Sequence, residues 1–312
     1  MSAPPFLGPG DVNRLLPFAD AVDALERALL DGLDPEDDPP RSAFAADAGE
    51  ILLMPSSWAG AAGVKLATVA PANPERGLPR IQGVYVLFDA ATLAPAALVD
   101  GIALTSLRTA AVSALAVRRL ARPDARRLVV FGSGPQAWSH VQALREVRPL
   151  ERVDVFARDR GRLEQFVRRC LEAGVDARAP EAPAEEHIRK ADLVCCCTTA
   201  REPLFDGALV APGATVVAVG SHEPDAREVD EQLAARASVV VEARSAALRE
   251  AGDVIQAIEA GALAEDSLMT LADVVGGRAT PPEEDPRLFK STGMSWEDVV
   301  VATALARRAG GH

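Results

Sequence analysis

Apolar residues recur at two different spacings along this chain, and the change of spacing divides it into segments. Over residues 20–33 they recur every three or four positions, which predicts an amphipathic helix. From residue 51 to 100 they form short runs separated by Gly, Pro, Asn and Asp, a pattern typical of strands. Residues 105–120 return to a helical composition. The first part of the chain is therefore predicted to be a mixed α/β domain.

A regular alternation of strands and helices begins near residue 127. Apolar runs predict strands at 128–131, 153–156, 191–198, 215–219 and 238–241, with helical patterns in between. Alternation of this kind implies a parallel, doubly wound sheet. The predicted fold class is therefore α/β, with a Rossmann-type doubly wound parallel sheet beside the mixed α/β domain.

The last predicted helix, residues 296–308, follows a loop rich in proline and acidic residues. If this helix folds back onto the first domain, that domain is discontinuous in sequence. We therefore expect a first domain of residues 1–120, to which the segment 294–312 returns, and a second domain of residues 121–293.

The composition narrows the range of partners. The 312-residue chain is long enough for two domains, and its 48% hydrophobic and 25% charged residues are ordinary for a globular protein. The net charge of −12 opposes binding to nucleic acid or to anionic membranes. No apolar run approaches the roughly 20 residues of a membrane span, and no signal-peptide pattern is visible. We expect a cytoplasmic protein that binds neither nucleic acid nor membrane.

The chain has four cysteines, Cys170 and the consecutive Cys195, Cys196 and Cys197. Adjacent residues of a strand point to opposite faces, which suits neither a disulfide framework nor a zinc cage. We expect these residues to act as small apolar side chains in a buried strand, and we expect no metal site.

A turn rich in glycine separates the predicted strand 128–131 from a helical pattern. It consists of Gly132, Ser133, Gly134, Pro135, Gln136 and Ala137. Gly132 permits a tight turn, Gly134 lets a pyrophosphate approach the backbone, and Ala137 lets the helix pack closely. The first N–H groups of the helix then face the phosphates. This segment predicts a dinucleotide-binding site in the second domain.

The end of the next strand indicates which dinucleotide is bound. Domains that prefer NAD usually carry Asp or Glu there, about 20 residues past the glycines, to bind the ribose hydroxyls. This chain has Ala157 followed by Arg158, and a guanidinium suits a 2′-phosphate. We expect NADPH rather than NADH. Asp159 would favour NAD if its side chain turned toward the ribose.

Two cations lie within apolar stretches of the first domain, Lys65 and Arg108, and Arg41 follows an acidic, proline-broken loop. A lysine in an apolar strand rarely faces a core without a partner. Each cation alone would also suit a surface charge or a structural salt bridge. Together, in an acidic protein with a hydride-carrying cofactor, they indicate a clamp for a substrate carboxylate.

The chain resembles the ornithine cyclodeaminase/μ-crystallin family over nearly its whole length. The motifs that carry the resemblance are Met54-Pro-Ser, Gly63-Val-Lys65, Asn73-Pro, Gly77-Leu-Pro, Gln82-Gly83, Asp100-Gly101, Leu104 to Ala111, the glycine turn, Ala191-Asp192, Thr198-Thr199, Val219-Gly220, Arg244 to Gly252, Ser291-Thr-Gly293 and Asp298. Their joint occurrence is specific.

The resemblance implies a Rossmann-type domain beside a mixed α/β domain that binds the substrate and forms a homodimer through its sheet. It implies that Arg41, Lys65 and Arg108 hold the carboxylate of an amino or imino acid against the nicotinamide. It also implies that Thr109 contacts a cofactor phosphate. The further residues expected to bind the cofactor are the glycine turn, Arg158, Thr198, Val219, Gly220 and Ser291.

Two departures from the family pattern decide between activities. Cyclodeaminases of this family place a catalytic aspartate two residues after the glycine that corresponds to Gly220, where this chain has His222. Leu52 stands where ornithine-binding members carry an acid. An acid would hold a side-chain ammonium, so both differences argue against ornithine. His222, with an ordinary pKa of about 6.5, is expected to keep an imine nitrogen protonated, and we expect Lys65 and His222 to be catalytic.

The sequence therefore predicts an NAD(P)H-dependent reductase of cyclic α-imino acids, of the ketimine or pyrroline-2-carboxylate type. The alternatives are an ornithine cyclodeaminase, an NAD-dependent alanine dehydrogenase and a non-catalytic NADPH-binding protein. Retention of Lys65 and Arg108 argues against the last, because a binding protein does not need a substrate clamp. The remaining histidines, His140, His187 and His312, have no comparable context and are expected at the surface.

Overall fold

The computed structural model describes residues 3–310, and the chain divides into two compact units. The first unit contains the residues up to Ala111 together with those from Met294 onward, and the second contains Val112–Gly293. The division lies inside one long helix, Gly101–Leu120, whereas the sequence analysis places the boundary at the end of that helix. The first unit is thus built from two separate stretches of chain.

The elements of the described residues follow in chain order. The strands are β1 (Phe6–Leu7), β2 (Ser42–Ala46), β3 (Gly49–Trp58), β4 (Ala61–Val69), β5 (Ile81–Asp89), β6 (Pro95–Asp100), β7 (Arg127–Phe131), β8 (Arg152–Phe156), β9 (Ala177–Arg178), β10 (Leu193–Cys196), β11 (Thr215–Ala218), β12 (Ser238–Val241), β13 (Met269–Thr270) and β14 (Arg287–Lys290). The helices are α1 (Pro9–Leu15), α2 (Phe18–Leu30), α3 (Gly101–Leu120), α4 (Pro135–Arg145), α5 (Arg160–Glu172), α6 (Ala184–Ile188), α7 (Glu231–Arg236), α8 (Arg244–Glu250), α9 (Gly252–Glu259), α10 (Leu271–Val275) and α11 (Ser295–Ala309).

The first unit is built on a six-stranded mixed sheet, in the order β1-β6-β5-β4-β3-β2 among the residues described. Strand β1 pairs with β6 in parallel, and the other neighbours are antiparallel. Helix α11 packs against β3, β4 and β5, so one face of the sheet is covered. Every second residue of β4 from Ala61 to Ala67 is buried, and Lys65 is one of these residues.

The opposite face of this sheet is apolar but only partly buried in the single chain. Phe44 on β2 is 53% exposed, and its neighbour Ile51 on β3 is 39% exposed. Leu53, Leu66 and Val86, which share this face, are only half-buried. A contiguous apolar face of this kind marks a surface that another molecule covers.

The second unit contains an all-parallel sheet of eight strands within residues 112–293, in the order β13-β12-β14-β11-β10-β7-β8-β9. Its central strands are short, apolar and buried, as expected for strands covered by helices on both faces. The predicted α/β fold, a parallel sheet beside a mixed one, is confirmed.

Strand β14 lies between β11 and β12 and was missed by the sequence analysis. It has only four residues and begins and ends with a charged side chain, so no apolar run marks it. The buried cations have partners that the sequence does not reveal. Arg287 donates to the carbonyl oxygens of Gly213, Pro282 and Glu283.

The order in which successive strands join the sheet of the second unit changes direction at β7. The chain passes from β7 to β8 and β9 on one side, and then returns to β10 on the other. In open α/β sheets, ligands bind outside the carboxyl ends of the strands at such a point. The glycine turn follows β7, and Thr198 follows β10 closely.

Two histidines expected at the surface are not there. His140 on α4 is fully buried. His187 is 15% exposed, and its Nδ1 atom lies 2.8 Å from Asp154 Oδ2. Ser113, which contacts His140, and Asp154, which contacts His187, are distant in sequence, so local context does not reveal the burial of either histidine. His312 lies outside the described residues.

Within residues 3–310, no helix combines the length and the apolar composition that crossing a membrane requires.

Candidate functional site

Two buried cations lie together in the first unit. Lys65 is on the face of β4 that α11 covers and is 3% exposed, and Arg108 on α3 is 5% exposed. Strand alternation explains the position of Lys65, because its neighbours on the same face, Gly63 and Ala67, are also buried. A cation in such surroundings needs a charged or hydrogen-bonding partner.

Helix α11 supplies two carboxylates to these cations from its first turn. Asp298 Oδ2 lies 2.8 Å from Lys65 Nζ, and Asp298 Oδ1 lies 3.3 Å from Arg108 Nε. Glu297 Oε2 lies 2.8 Å from Arg108 Nη1. Both carboxylates are fully buried, and the helix dipole favours anions at this end of a helix. We call these four residues the charge cluster.

The charge cluster changes the interpretation of the predicted clamp. The sequence analysis expected a group of cations alone, but the structure opposes Lys65 and Arg108 with two negative groups. Glu297 was missed because its partner Arg108 is 189 residues away along the chain. The cations are therefore balanced by the protein itself before any substrate binds.

The surroundings of Lys65 alter its proton affinity. Its pKa is lowered to about 8, first by burial and then by the positive charge of Arg108, against the opposing effect of Asp298. An ordinary lysine stays protonated well above this pH. Lys65 can therefore exchange a proton close to neutral pH, which suits a general acid or base.

Arg41, the third expected carboxylate ligand, directly precedes β2 and is half-buried. Ser42 pairs with Leu53 in the antiparallel register, and Met54 pairs with Lys65. The register therefore carries the chain at Arg41 toward the part of β3 that neighbours Lys65.

A further carboxylate, Asp38, contacts the first turn of α11. Its Oδ1 atom accepts a hydrogen bond from Ser56 Oγ at 2.6 Å, and its Oδ2 atom accepts one from the backbone N–H of Trp296. Burial raises the pKa of Asp38 to about 6. These three residues line a cavity of about 560 Å³, whose described lining does not include the cations of the charge cluster.

In the second unit the glycine turn has the geometry that the sequence predicts. Gly132 adopts a φ of +113°, and a Cβ atom there would lie 2.5 Å from the carbonyl oxygen of Cys197. Gly134 caps α4, and no described atom lies within 4 Å of the position of its missing Cβ. Pro135 begins the helix, and Ala137 is fully buried. The turn is therefore tightly packed at Gly132 and has space beside Gly134.

The residues expected near the ribose, Ala157 and Arg158, directly follow β8. Ala157 is half-buried, and Arg158 is exposed. The carboxylate of Asp159 accepts a hydrogen bond from the backbone N–H of Arg162 at 2.9 Å and so caps α5. Asp159 is therefore held at the start of the helix.

A buried carboxylate that the sequence analysis missed joins two loops at the carboxyl ends of β10 and β11. Glu228 Oε1 accepts hydrogen bonds from the backbone N–H and the hydroxyl of Thr198, both at 2.7 Å. Its Oε2 atom accepts one from the backbone N–H of Gly220 at 2.7 Å. Burial raises the pKa of Glu228, against the lowering effect of Lys290. Glu228 thus positions Thr198 and Gly220, two residues expected to bind the cofactor.

A second carboxylate, Asp253, holds the segment that carries Glu228. Asp253 Oδ1 accepts hydrogen bonds from the backbone N–H groups of Glu228 and Val229. Its Oδ2 atom lies 2.8 Å from Lys290 Nζ, which also donates to the carbonyl oxygen of Ser221 at 2.6 Å. The loop after β11 and the end of β14 are therefore fixed to the same group.

The sequence predicts three further residues that bind the cofactor, and the structure shows where each lies. The hydroxyl of Ser291 is buried and donates to Glu242 Oε1 at 2.7 Å, so it serves the protein's own structure. Thr109 on α3 is 7% exposed. Val219 follows β11, and its backbone N–H donates to the carbonyl oxygen of Cys196.

His222 is exposed and lies two residues after Gly220, as the sequence analysis requires. The acidic residues next to it in sequence are engaged elsewhere: Glu223 and Asp225 both pair with Arg201. Glu228 directs its oxygens to backbone groups. His222 therefore stands where the family resemblance implies an aspartate in cyclodeaminases, and the described contacts of these three acidic residues are with other groups.

Comparison with known proteins gives a consistent family. The profile of the Ornithine cyclodeaminase/mu-crystallin family matches residues 6–311. The chain is 35% identical over 314 residues to the Delta(1)-pyrroline-2-carboxylate reductase of Paracoccus denitrificans, covering 98% of this chain and 97% of that protein. It is 36% identical over 238 residues to the ketimine reductase mu-crystallin of Rattus norvegicus, covering 76% of this chain and 73% of the relative.

A solved structure agrees over the same length. The Delta(1)-pyrroline-2-carboxylate reductase of Thermococcus litoralis, in complex with NADH and L-proline, has a TM-score of 0.91 to this chain at 30% identity. The match covers 98% of both chains.

We expect Glu228→Gln to loosen the loops at Thr198 and Gly220, because an amide group replaces an oxygen that accepts from a backbone N–H. The free energy of unfolding should fall by about 1–3 kcal/mol. Hydrogen exchange measured by mass spectrometry should show faster exchange in peptides that contain these two residues. Glu259→Gln, at an exposed position of α9, is the control and should leave exchange unchanged. Equal exchange in both variants would contradict the positioning role.

Proposed function

This chain belongs to the ornithine cyclodeaminase/mu-crystallin family, and we propose that it reduces cyclic α-imino acids of the pyrroline-2-carboxylate or ketimine type with NADPH. At the coarser level it is an NAD(P)-dependent oxidoreductase. The observation that carries the substrate proposal is the buried pair of Lys65 and Arg108, in which Lys65 has a pKa of about 8. The match to named imino-acid reductases over nearly the whole chain supports it.

The second unit fits a dinucleotide. The N-terminus of α4 faces open space at Gly134, and Gln136 Oε1 is buried without a hydrogen-bond partner among the described residues. A pyrophosphate bound there would accept hydrogen bonds from backbone N–H groups in the first turn of α4, a helix of 11 residues. When bound, the cofactor supplies the hydride that the imine carbon accepts.

The charge cluster supports recognition of the substrate carboxylate. In the proposal Arg108 and Arg41 bind the carboxylate, and a guanidinium can do so through two parallel hydrogen bonds. Glu297 and Asp298 orient the cations and limit the cost of burying them. A neutral substrate without a carboxylate would lack these contacts, so we expect imino acids rather than simple imines.

Reduction of an imine to an amine consumes one hydride at carbon and one proton at nitrogen. We propose that Lys65 holds this proton, because its pKa near 8 allows it to be charged at neutral pH and still release a proton. His222 is the second candidate: it is exposed, and a protonated imidazole can donate a proton to an imine nitrogen. The two candidates predict different pH profiles.

Ornithine cyclodeamination is the competing activity within this family. It would need an acid near the nicotinamide for the side-chain ammonium, and His222 replaces that acid. Glu223 and Asp225 pair with Arg201, and Glu228 is committed to backbone groups. These contacts favour the reductase over the cyclodeaminase.

The preference for NADPH rests on the end of β8. Arg158 is exposed there, and Asp159 caps α5 by accepting from the N–H of Arg162. A carboxylate that serves a helix start is not oriented toward a ribose. We therefore propose that Arg158 pairs with the 2′-phosphate of NADPH.

The partly exposed apolar face of the six-stranded sheet supports a homodimer in which a second copy covers it. Sedimentation equilibrium should give twice the mass of the chain. Leu66→Glu, at the middle of that face, should shift the protein toward the monomer. A monomeric wild-type protein would contradict this part of the proposal.

The direct test of the function is oxidation of NADPH in the presence of pyrroline-2-carboxylate or piperideine-2-carboxylate. We expect turnover that depends on the imino acid, and no proline or ammonia from ornithine. Formation of proline and ammonia from ornithine without net oxidation of NADPH would assign the cyclodeaminase activity instead. Tight NADPH binding without turnover of either imine would assign a non-catalytic role.

The pH dependence tests the role of Lys65. If the protonated ammonium is needed, kcat/KM should be level below pH 8 and should fall above about pH 8, because deprotonation removes the acid. Lys65→Gln should lower kcat by about 10²–10⁴-fold and abolish this alkaline limb. Lys190→Gln, at an exposed lysine, is the control. If the fall in kcat/KM at alkaline pH persists in Lys65→Gln but is lost in His222→Gln, His222 and not Lys65 is the proton donor.

The choice of cofactor tests Arg158. Arg158→Ala should raise KM for NADPH by about 10-fold or more, since a charge-assisted hydrogen bond is lost, and should leave KM for NADH nearly unchanged. Arg160→Ala, at a neighbouring exposed arginine, is the control. Equal changes for the two cofactors would show that Arg158 does not read the 2′-phosphate.

A further inference from the structure

Cys195 on β10 and Cys197, which directly follows the strand, form a pair that the sequence does not predict. Cys195 and Cys197 are two positions apart, so they share a face of the strand. Their Sγ atoms lie 3.5 Å apart. Cys195 is fully buried, and Cys197 is partly buried. Cys196 points to the opposite face and belongs to the apolar core.

His140 on α4 completes a group of three potential ligands. Its Nδ1 atom lies 2.8 Å from the carbonyl oxygen of Gln136, and its Nε2 atom lies 2.9 Å from Ser113 Oγ. Because a carbonyl oxygen only accepts, Nδ1 carries the proton and Nε2 presents a lone pair. Metal-binding histidines usually have this arrangement, with the second ring nitrogen donating to a fixed acceptor.

The spacing of the donor atoms suits a metal ion. One ring nitrogen of His140 and the two Sγ atoms all lie within 4.8 Å of one another. In a tetrahedral site with Zn–S bonds of about 2.3 Å, two sulfur ligands are about 3.8 Å apart. The separation of 3.5 Å between the two thiols is close to this value. Small side-chain rotations would therefore convert the group into a chelate.

We propose that Cys195, Cys197 and His140 form a binding site for a soft divalent cation of the zinc and cadmium type. Binding forms two metal–sulfur bonds and one metal–nitrogen bond, and it releases the two thiol protons to solvent. The complex of a divalent cation, two thiolates and a neutral imidazole has no net charge, so burial does not oppose it. Ser113 Oγ, already beside Nε2, is placed as a fourth, oxygen ligand.

The protonation state of the free site agrees with this chemistry. Burial lowers the pKa of His140 to about 4, so its imidazole is neutral at pH 7. Burial and the hydrogen bond to Cys195 raise the pKa of Cys197, which favours the neutral thiol in the metal-free protein.

The site is directly connected to the glycine turn. The backbone N–H of Cys197 donates to the carbonyl oxygen of Phe131 at 2.9 Å. The carbonyl oxygen of Cys197 lies against Gly132, where it leaves no room for a Cβ atom. A metal at Cys197 should therefore alter the turn and the affinity for dinucleotide; this consequence, unlike the metal site itself, rests on the proposed function.

The test is a titration of the reduced, metal-free, full-length protein with CdCl₂. We expect one Cd²⁺ to bind per chain, an ultraviolet absorption band from thiolate-to-cadmium charge transfer, and release of about two protons in weakly buffered solution. Cys197→Ala should lower the affinity by at least about 10-fold and weaken the band, and Cys195→Ala should do the same. No band in the wild-type protein would overturn the proposal.

Two matched variants separate this site from thiols in general. Cys196→Ala on the opposite face of the strand, and Cys170→Ala on α5, should leave the band and the affinity unchanged. A band that disappears equally in Cys170→Ala would overturn the proposed ligand set. Because the partly exposed Cys197 is the position least needed for packing, Cys197→Ser provides a second variant if Cys195→Ala fails to fold.

Binding of NADPH, measured by its fluorescence with and without Cd²⁺, tests the connection to the glycine turn. Any shift in affinity must be reciprocal, so NADPH must change the Cd²⁺ affinity by the same factor. Absence of a shift removes the connection but leaves the metal site. Failure of NADPH to bind in either state contradicts the proposed function and not the cadmium result.

Discussion

A positive charge can be buried in the first unit only if a carboxylate is buried with it, and this requirement organises the unit. Lys65 and Arg108 lie on different elements, and both meet Glu297 and Asp298 at the start of α11. Removing one partner from such a buried pair typically costs about 3–5 kcal/mol. Helix α11 is therefore a necessary part of this unit, although Glu297 lies 189 residues after Arg108 in the chain.

The second unit uses buried carboxylates for a different purpose. Glu228, Glu242 and Asp253 accept hydrogen bonds mainly from backbone N–H groups in loops beyond the strands. Those groups have left the sheet and need another acceptor when they are buried. Because each carboxylate has two oxygens, it can fasten two segments to each other. The loops that carry Thr198 and Gly220 are held in this way.

Burial in the charge cluster also gives its two cations different chemistry. Arg108 stays charged at any pH that the protein survives, which suits permanent recognition of an anion. Lys65 has a pKa of about 8, so the same surroundings make it able to exchange a proton. In the function that we propose, this one group of residues serves both needs of an imino-acid reductase, binding a carboxylate and supplying a proton.

The sequence by itself determined the features that depend on local spacing. The strand that contains Lys65 and the glycine turn between a strand and a helix both lie where the sequence predicts them. Only the tertiary structure revealed the carboxylates at Glu297 and Glu228 and the burial of His140. The contacts of these residues with Arg108, Thr198 and Ser113 span 189, 30 and 27 residues, and no periodicity connects residues at such separations. The spacing of apolar residues reflects the local conformation of the backbone. Which charged groups pair, and which side chains come together as possible ligands, depends on which helices and strands pack against each other.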